Sequence, residues 1–484
     1  MSIMSVLEIG RTAMAAQKAA IEVTGENIAN VNTPGYSRQV AVLETAQVST
    51  DQNPPVGNGV VLASVQRAYD AFLQAQINDQ SSTNGQQTAE QAALQRIEPL
   101  FNDFAADGLG ASIQNFFNSW QDLAMNPQGA AERQAVLAKA QTLVDNFHQI
   151  ANSLNAVQQD ANQSLGALAS DINIKAQQIA ALNGQIRQAN QSDGSVNALR
   201  DSRDRLIRDL AQKVGIKTLE QPDGTVSVSL TRGPRLVEGS KFATLTLQAD
   251  AANSGLSGVI LTLPGGGTGT DVTSIIAGSD SGSGELGGTL QVRDKLVTGF
   301  LAGLDELATT LASTVNSAHA AGYAVNGTTG IDFFTPPPAP APPATFAAGF
   351  SFSIALNVTA TDEIAAASTN PTLTGNGTGN NVNSLAIADL KNLPFAMTGG
   401  NNTLTGFYGS LVGKVGLAVQ SSEQDVAQNT AMLKQLSALR ESTSGVSLDE
   451  ELAGLIKYQK AFEGAARLIT TGQEMMDTIL NMVR

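Results

Sequence analysis

The chain has 484 residues, 42% of them hydrophobic, enough for several cores and for roughly two to four domains. Its 28 Lys and Arg are outnumbered by 43 Asp and Glu, and the resulting formal charge of −15 excludes phosphate backbones and anionic lipid surfaces as expected partners, so no nucleic acid is predicted. The absence of cysteine from the sequence excludes a disulfide framework and any thiolate metal site.

The first stretch, MSIMSVLEIGRTAMAAQ, has no basic region ahead of its apolar residues and carries Glu8 and Arg11 within them, so it does not read as a cleavable secretory signal. No later run reaches the ~18 apolar residues of a membrane span, and no membrane insertion is expected. Leu7, Met14, Ile21 and Ile28 recur every seventh residue and predict a coiled-coil helix. Ser5 and Glu8 offer it a capping box, and Ala13, Ala15, Ala16, Ala19 and Ala20 allow close approach. The helix ends in NIANVNTPGYSRQ, Asn27 to Gln39. There Thr33 precedes proline and leaves the α region, Pro34-Gly35 fits the centre of a type II turn, and Asn30 and Asn32 can cap carbonyls or take left-handed positions. By these residues alone it is a helix-to-strand turn.

Residues 65–100 are polar and rich in Gln and Ala, and Trp120 with Phe116 and Phe117 then predicts a core cluster. Apolar spacings of three and four from Phe147 to Ile186 predict a second long helix with one stutter-like step. It leads to RDSRDRLIRD, where Asp201 to Arg205 and Asp204 to Arg208 sit at i,i+4 and read as a solvated helix with weak ion pairs. From Pro222 the period becomes two: TVSVSL, FATLTL, VILTL and FSFSIALNV predict strands bounded by turns such as Asp223-Gly224. A helix over about 288–320 interrupts them, PPPAPAPPA is a stiff connector, TGNGTGNNVN is a loop, and a helix follows over about 405–439.

The last helix repeats the seven-residue spacing in Leu448, Leu455, Phe462, Ile469, Met476 and Val483, with Leu452, Ala466 and Leu480 four residues after three of them. Ser447 and Glu450 form its capping box, and Asp449 and Glu451 suit its positive end. The expected fold is therefore mainly α with an inserted β-rich domain, elongated and nested, its terminal helices forming a coiled coil. The predicted division is 1–45 with 445–484 as the assembly domain, 46–214 with 396–444 as a long-helix domain, and 215–395 as the β-rich insert. Leu7, Met14, Ile21, Ile28, Leu448, Leu452, Leu455, Phe462, Ile469, Met476 and Val483 are the candidate subunit interface. Gln459, Gly464, Gly472 and Gln473 thin the seam, so the termini are expected to be loose in the monomer and ordered on assembly.

Catalysis finds no support. His148 and His319 lie in helical stretches without partners at ligand spacing, so no metal, catalytic or cofactor site is expected and both read as structural. GSGELG satisfies GxGxxG, but no compact βαβ unit follows it.

ANVNTPGY, comprising Ala29, Asn30, Asn32, Thr33, Pro34, Gly35 and Tyr36 around Val31, resembles the N-terminal signature of the bacterial flagellar axial proteins, which form rod, hook and hook-associated structures. The continuation Ser37-Arg38-Gln39 looks like the version in the hook–filament junction branch, and GELGGTLQVRD, GYAVNGTTGIDFF and SGVSLDEELAGLIKYQKAF are also similar to stretches of that family. The chain departs from it after Pro336, where the family often carries a larger insertion. The resemblance implies a non-enzymatic subunit of the extracellular flagellum. It implies terminal helices packed with neighbouring copies in a ring around a channel, and export through the type III apparatus. The implied partners are the hook protein, the next hook-associated protein on the filament side, and an export chaperone on the C-terminal helix. A self-polymerising hook or distal-rod protein is the alternative within the family, and a secreted coiled-coil adhesin the alternative outside it.

Overall fold

The computed structural model describes residues 3–46, 57–101, 108–189, 194–278, 282–340, 345–373, 377 and 379–482. In chain order the elements are α1 (Ile3–Ala29), β1 (Gln39–Thr45), β2 (Val60–Arg67), α2 (Ala71–Ile97), α3 (Leu109–Met125), α4 (Ala130–Gln188) and α5 (Ser195–Lys213). Then come β3 (Ile216–Glu220), β4 (Val226–Leu230), β5 (Arg235–Glu238), β6 (Lys241–Phe242), β7 (Thr244–Ala249), β8 (Ser257–Thr262) and β9 (Thr270–Asp271). The chain closes with α6 (Thr273–Ala277), α7 (Gly284–Gln291), α8 (Val297–Ala321), α9 (Phe350–Ser353), α10 (Val382–Asp389), β10 (Phe395–Met397), β11 (Gly400–Asn402), α11 (Leu404–Ser444) and α12 (Leu448–Met482). It is mainly helical with inserted β structure, and it divides into two compact units, the divisions falling within α2, α4, α7 and α11.

The first unit comprises Met1–Gln86, Gly166–Gly287 and Ala427–Arg484. Its antiparallel sheets run β1-β2, β3-β4-β5-β6 and β7-β8-β9. The Asp223-Gly224 turn closes β3 on β4 in the register Ile216↔Leu230, with Gly224 at φ +80°. Two asparagines of α4 fasten the sheets, because a side-chain amide both donates to and accepts from a strand backbone. Asn183 bonds the carbonyl of Val226 at 2.8 Å and its N–H at 3.0 Å, and Asn173 does the same at Leu245 at 2.8 and 2.7 Å.

The second unit comprises Gln87–Leu165 and Gly288–Val426. Its core is aromatic, as the FFNSW cluster predicts: Phe116, Phe117, Trp120, Phe333 and Phe334 are fully buried, and Trp120 meets Phe333 edge-on at 5.4 Å between centroids. His319 lies against both rings. Its Nδ1 is 2.7 Å from the Ile331 carbonyl and its Nε2 accepts the Ala365 N–H at 2.9 Å, which fixes the neutral ring with the proton on Nδ1. Burial lowers its pKa. The other histidine, His148, also bonds a backbone carbonyl, that of Ile354.

Three local expectations are corrected. α1 begins at Ile3, so Ser5 does not cap it, and Glu8 instead accepts from Arg11 Nε at 3.0 Å. FSFSIALNV is not a strand: Phe350–Ser353 is one helical turn and Leu356 makes only an isolated bridge to Phe334. The buried carboxylate of Asp305 takes the N–H groups of Gly349 and Ser351 at 2.7 and 2.9 Å, withdrawing them from any ladder. RDSRDRLIRD lies in α5, whose Asp201, Arg203 and Asp204 are buried rather than solvated, for reasons given below. Of the proline-rich connector, 341–344 lie outside the described residues, as do 374–376 and 378 of the Gly/Asn loop.

Candidate assembly surface

The predicted turn closes as a type II turn. Tyr36 N–H donates to the Thr33 carbonyl at 3.2 Å across Pro34-Gly35, with Gly35 at φ +81°. Asn30 caps the preceding helix by donating Nδ2 to the Glu26 carbonyl at 3.0 Å and accepting from Thr33 Oγ1 at 3.1 Å. Asn32 and Ala29 are exposed, and neither Asn30 nor Asn32 takes a left-handed conformation.

The turn aims the chain into a buried polar network. Asn27, 1% exposed, donates to the Gln39 carbonyl at 2.8 Å and to Glu451 Oε2 at 3.0 Å, and its Oδ1 accepts from the Tyr36 hydroxyl and from Gln39 N–H. Arg38 donates Nε to Glu451 Oε1 at 2.6 Å and pairs with Glu450 at 3.2 Å, while its N–H bonds the Ser444 carbonyl. The N-terminal signature thus holds the start of α12. Glu451, which sequence assigned to the helix dipole, and Glu450, which it assigned to the capping box, both bind this arginine. Burial pushes the Tyr36 phenol up to about 12 and keeps it a donor.

The same turn reaches α5. Ser37 N–H donates to Asp201 Oδ2 at 2.9 Å, and Arg67 Nη1 donates to Asp201 Oδ1 at 2.9 Å and Asp204 Oδ2 at 2.7 Å. Burial pushes the Asp201 carboxyl up despite the Ser37 N–H and Arg67. Burial also works against the Arg67 cation, but Asp204 and Asp201 together outweigh it and raise its pKa. Arg203 turns the other way, donating to Gly224 O at 2.7 Å. Both aspartates thus make their short contacts with Arg67 rather than at i,i+4 along α5, where Arg203 Nε lies 3.7 Å from Asp204 Oδ1. Sequence reasoning missed Arg67, Asp201, Asp204 and Glu451 as a set, although the concentration of charge at 200–209 in a chain only 15% charged was an available signal.

The terminal helices pack on each other antiparallel. Leu7 and Val6 lie against Gly472, Gly10 against Ile469 and Ala465, and Asn27 against Glu451. The approach is close enough that a Cβ on Gly10 would stand 2.6 Å from Ile469 Cγ1. Of the eleven candidate interface residues, Leu7, Met14, Ile21, Ile28, Leu455, Phe462, Ile469 and Met476 are half-buried, Leu448 and Leu452 are exposed, and Val483 lies outside the described residues. α12 buries Glu451, Ala465 and Gly472, whereas Leu468, Met475 and Ile479 remain 46–51% exposed. Such a surface suits association; among the described residues no group of three or more His, Asp or Glu is placed to hold a metal ion.

Over its length the chain is similar to "Flagellar hook-associated protein 1" of Bacillus subtilis, 30% identical over 98% of this chain and 97% of that one. The chain belongs to the flagellar hook-associated protein 1 family. The Salmonella typhimurium member is 27% identical over 99% of this chain and 100% of its own. Residues 94–334 match the flagellar hook-associated protein FlgK helical domain, 7–36 the flagella basal body rod protein family, and 440–482 the flagellar basal body rod FlgEFG protein C-terminal family. The fold is shared with the solved flagellar hook junction protein FlgK of Burkholderia pseudomallei, with a TM-score of 0.67 at 18% identity, covering 76% of this chain and 100% of that one. The two rod-family matches take in α1 with its turn and α12, the elements the network ties together. As a member of this family the protein is a structural component of the flagellar axis outside the cell.

Proposed function

We propose that copies of this subunit assemble through α1 and α12 into a ring that joins hook to filament. The observation that carries this is the incomplete cover of α12. Its seam against α1 buries mostly small residues, while Leu448, Leu452, Ile456, Leu468 and Met475 stay 45–59% exposed. Covering the exposed half of such a side chain contributes about 1 kcal/mol at ~25 cal/mol per Å², and each copy repeats the gain around a ring. We assign assembly to 1–45 with 445–484, with 46–214, 396–444 and the insert 215–395 as the remaining domains. The hook protein contacts one side of the layer and the next hook-associated protein the other. The exposed flank of α12 supports an export chaperone as its earlier partner during type III export, with the terminal helices loose until assembly.

The test is electron microscopy of the purified protein with isolated hooks and, separately, alone at high concentration. A single short layer at hook tips and no polymer in the protein-only sample is expected. Long tubes from the protein alone would make it a self-polymerising subunit, and binding in neither sample would end the assembly reading.

A further inference from the structure

On the side of α1 away from α12, an open groove of about 520 Å³ lies between α1, the β1–β2 hairpin and the start of α5. Ala19, Val23, Leu62 and Val65 give it an apolar floor, and Glu22 and Glu26, one helical turn apart, give it an acidic wall. Leu62 is 37% exposed there, and its hairpin neighbours Val40 and Val61 are 43% and 42% exposed. Relative to Gly10, which faces α12, these α1 residues lie about 120–220° around the helix, at ~100° per residue.

α12 carries a matching flank. Lys457, Gly464, Leu468, Thr471, Met475 and Met482 follow one another at helical spacings of seven, four, three, four and seven, and Lys460 lies beside Lys457. Glu474 and Asp477 fall on the other side of the helix, and Glu463 lies at the flank's edge in an exposed ion pair with Lys460 at 3.0 Å, so this flank is basic at its start and apolar beyond. Its lysine pair has the one-turn spacing of the Glu22–Glu26 pair.

We propose that the groove between α1 and the hairpin seats the Lys457–Leu468 flank of α12 from a second copy of this chain. This rests on the assembly reading and names the surface it uses. Within one chain α12 covers one side of α1; the next copy's α12 covers the other, in the same antiparallel sense. Lys457 and Lys460 meet Glu26 and Glu22, Lys460 exchanging Glu463 for Glu22 on docking, and Leu468, about 12 Å further along its helix at ~1.5 Å per residue, comes to Leu62. Groove and flank are different surfaces, so the contact is head-to-tail and propagates from copy to copy.

The chain has no cysteine, which makes the test direct. Full-length Leu62→Cys and Leu468→Cys proteins are mixed, assembled on isolated hooks and mildly oxidised. The expected product is a cross-linked dimer containing one of each, formed by neither protein alone. Assembly without that product, or an equal yield of Leu62→Cys homodimer, overturns the groove assignment and leaves self-assembly standing. Failure of the unmodified protein to assemble overturns both. In parallel, Glu22→Lys with Glu26→Lys should slow capture onto hooks about tenfold or more at low salt, and adding Lys457→Glu and Lys460→Glu should restore it. All four side chains are exposed, so these changes leave the fold intact, and absence of rescue counts against the proposal.

Discussion

Replacing Arg67 with Met should destabilise the first unit by about 3–5 kcal/mol at pH 8, the cost typical of leaving buried charge without its partner. Arg67 Nη1 bridges Asp201 and Asp204 at 2.9 and 2.7 Å, and the three side chains are only 7%, 8% and 10% exposed. With the charge centres about 4 Å apart, each pair attracts by roughly 4 kcal/mol at an effective dielectric near 20, partly offset by desolvation. Met keeps the aliphatic bulk but leaves both carboxylates in a dry site, with the Ser37 N–H still on Asp201. Burial already pushes the Asp201 carboxyl up, and losing the guanidinium pushes it further. An acid whose folded pKa exceeds its unfolded value binds more protons when folded, so its contribution to stability falls as pH rises through that folded value. The deficit of the variant relative to wild type should therefore shrink between about pH 8 and pH 5, a difference from which the general charge of the chain cancels. Hydrogen exchange in α5 is the assay, since the single tryptophan, Trp120, belongs to the other unit. Adding Asp201→Asn and Asp204→Asn should recover most of the loss. A deficit below about 1 kcal/mol, the scale of a surface pair, or one independent of pH, would refute a buried ion network here.

Gly35→Ala should cost about 1–3 kcal/mol, because the type II turn holds φ at +81° and the new Cβ would stand 2.9 Å from Arg205 Cγ; accelerated exchange at Tyr36 and Gln39 would register it. The second unit should lose stability on acidification below about 6.5, the ordinary histidine value, because burial lowers the folded pKa of His319 and the unfolded chain then binds the proton more readily. Denaturation followed by Trp120 fluorescence should show this slope in wild type and a flatter one in His319→Gln; equal slopes would exclude His319 as its source. Phe462→Asp places a charge in the half-buried α12 seam and should abolish joining of hook to filament while leaving the second unit folded. A variant that still assembles would remove Phe462 from the interface.

The long helices, the aromatic core at Trp120 and the signature turn were legible in sequence, since each depends on local spacing or on a single backbone geometry. Leu7 to Ile28 and Leu455 to Met476 announce helices through period alone, and Pro34-Gly35 permits few turns. The resemblance of ANVNTPGY then pointed to the flagellar axial proteins. The antiparallel pairing of α1 with α12 and the use of Gly10 and Gly472 at their contact were decided by tertiary structure, because a stripe says that a helix is covered but not by what. The same holds for FSFSIALNV, whose alternation was overridden by a carboxylate 46 residues earlier. It holds most for α5: Asp201 and Arg205 satisfy a surface ion-pair rule, yet Arg67 lies 134 residues away in sequence and 2.9 Å away in space. Charge patterns along a helix record which pairings are possible. Which of them forms is set by the partner that burial supplies.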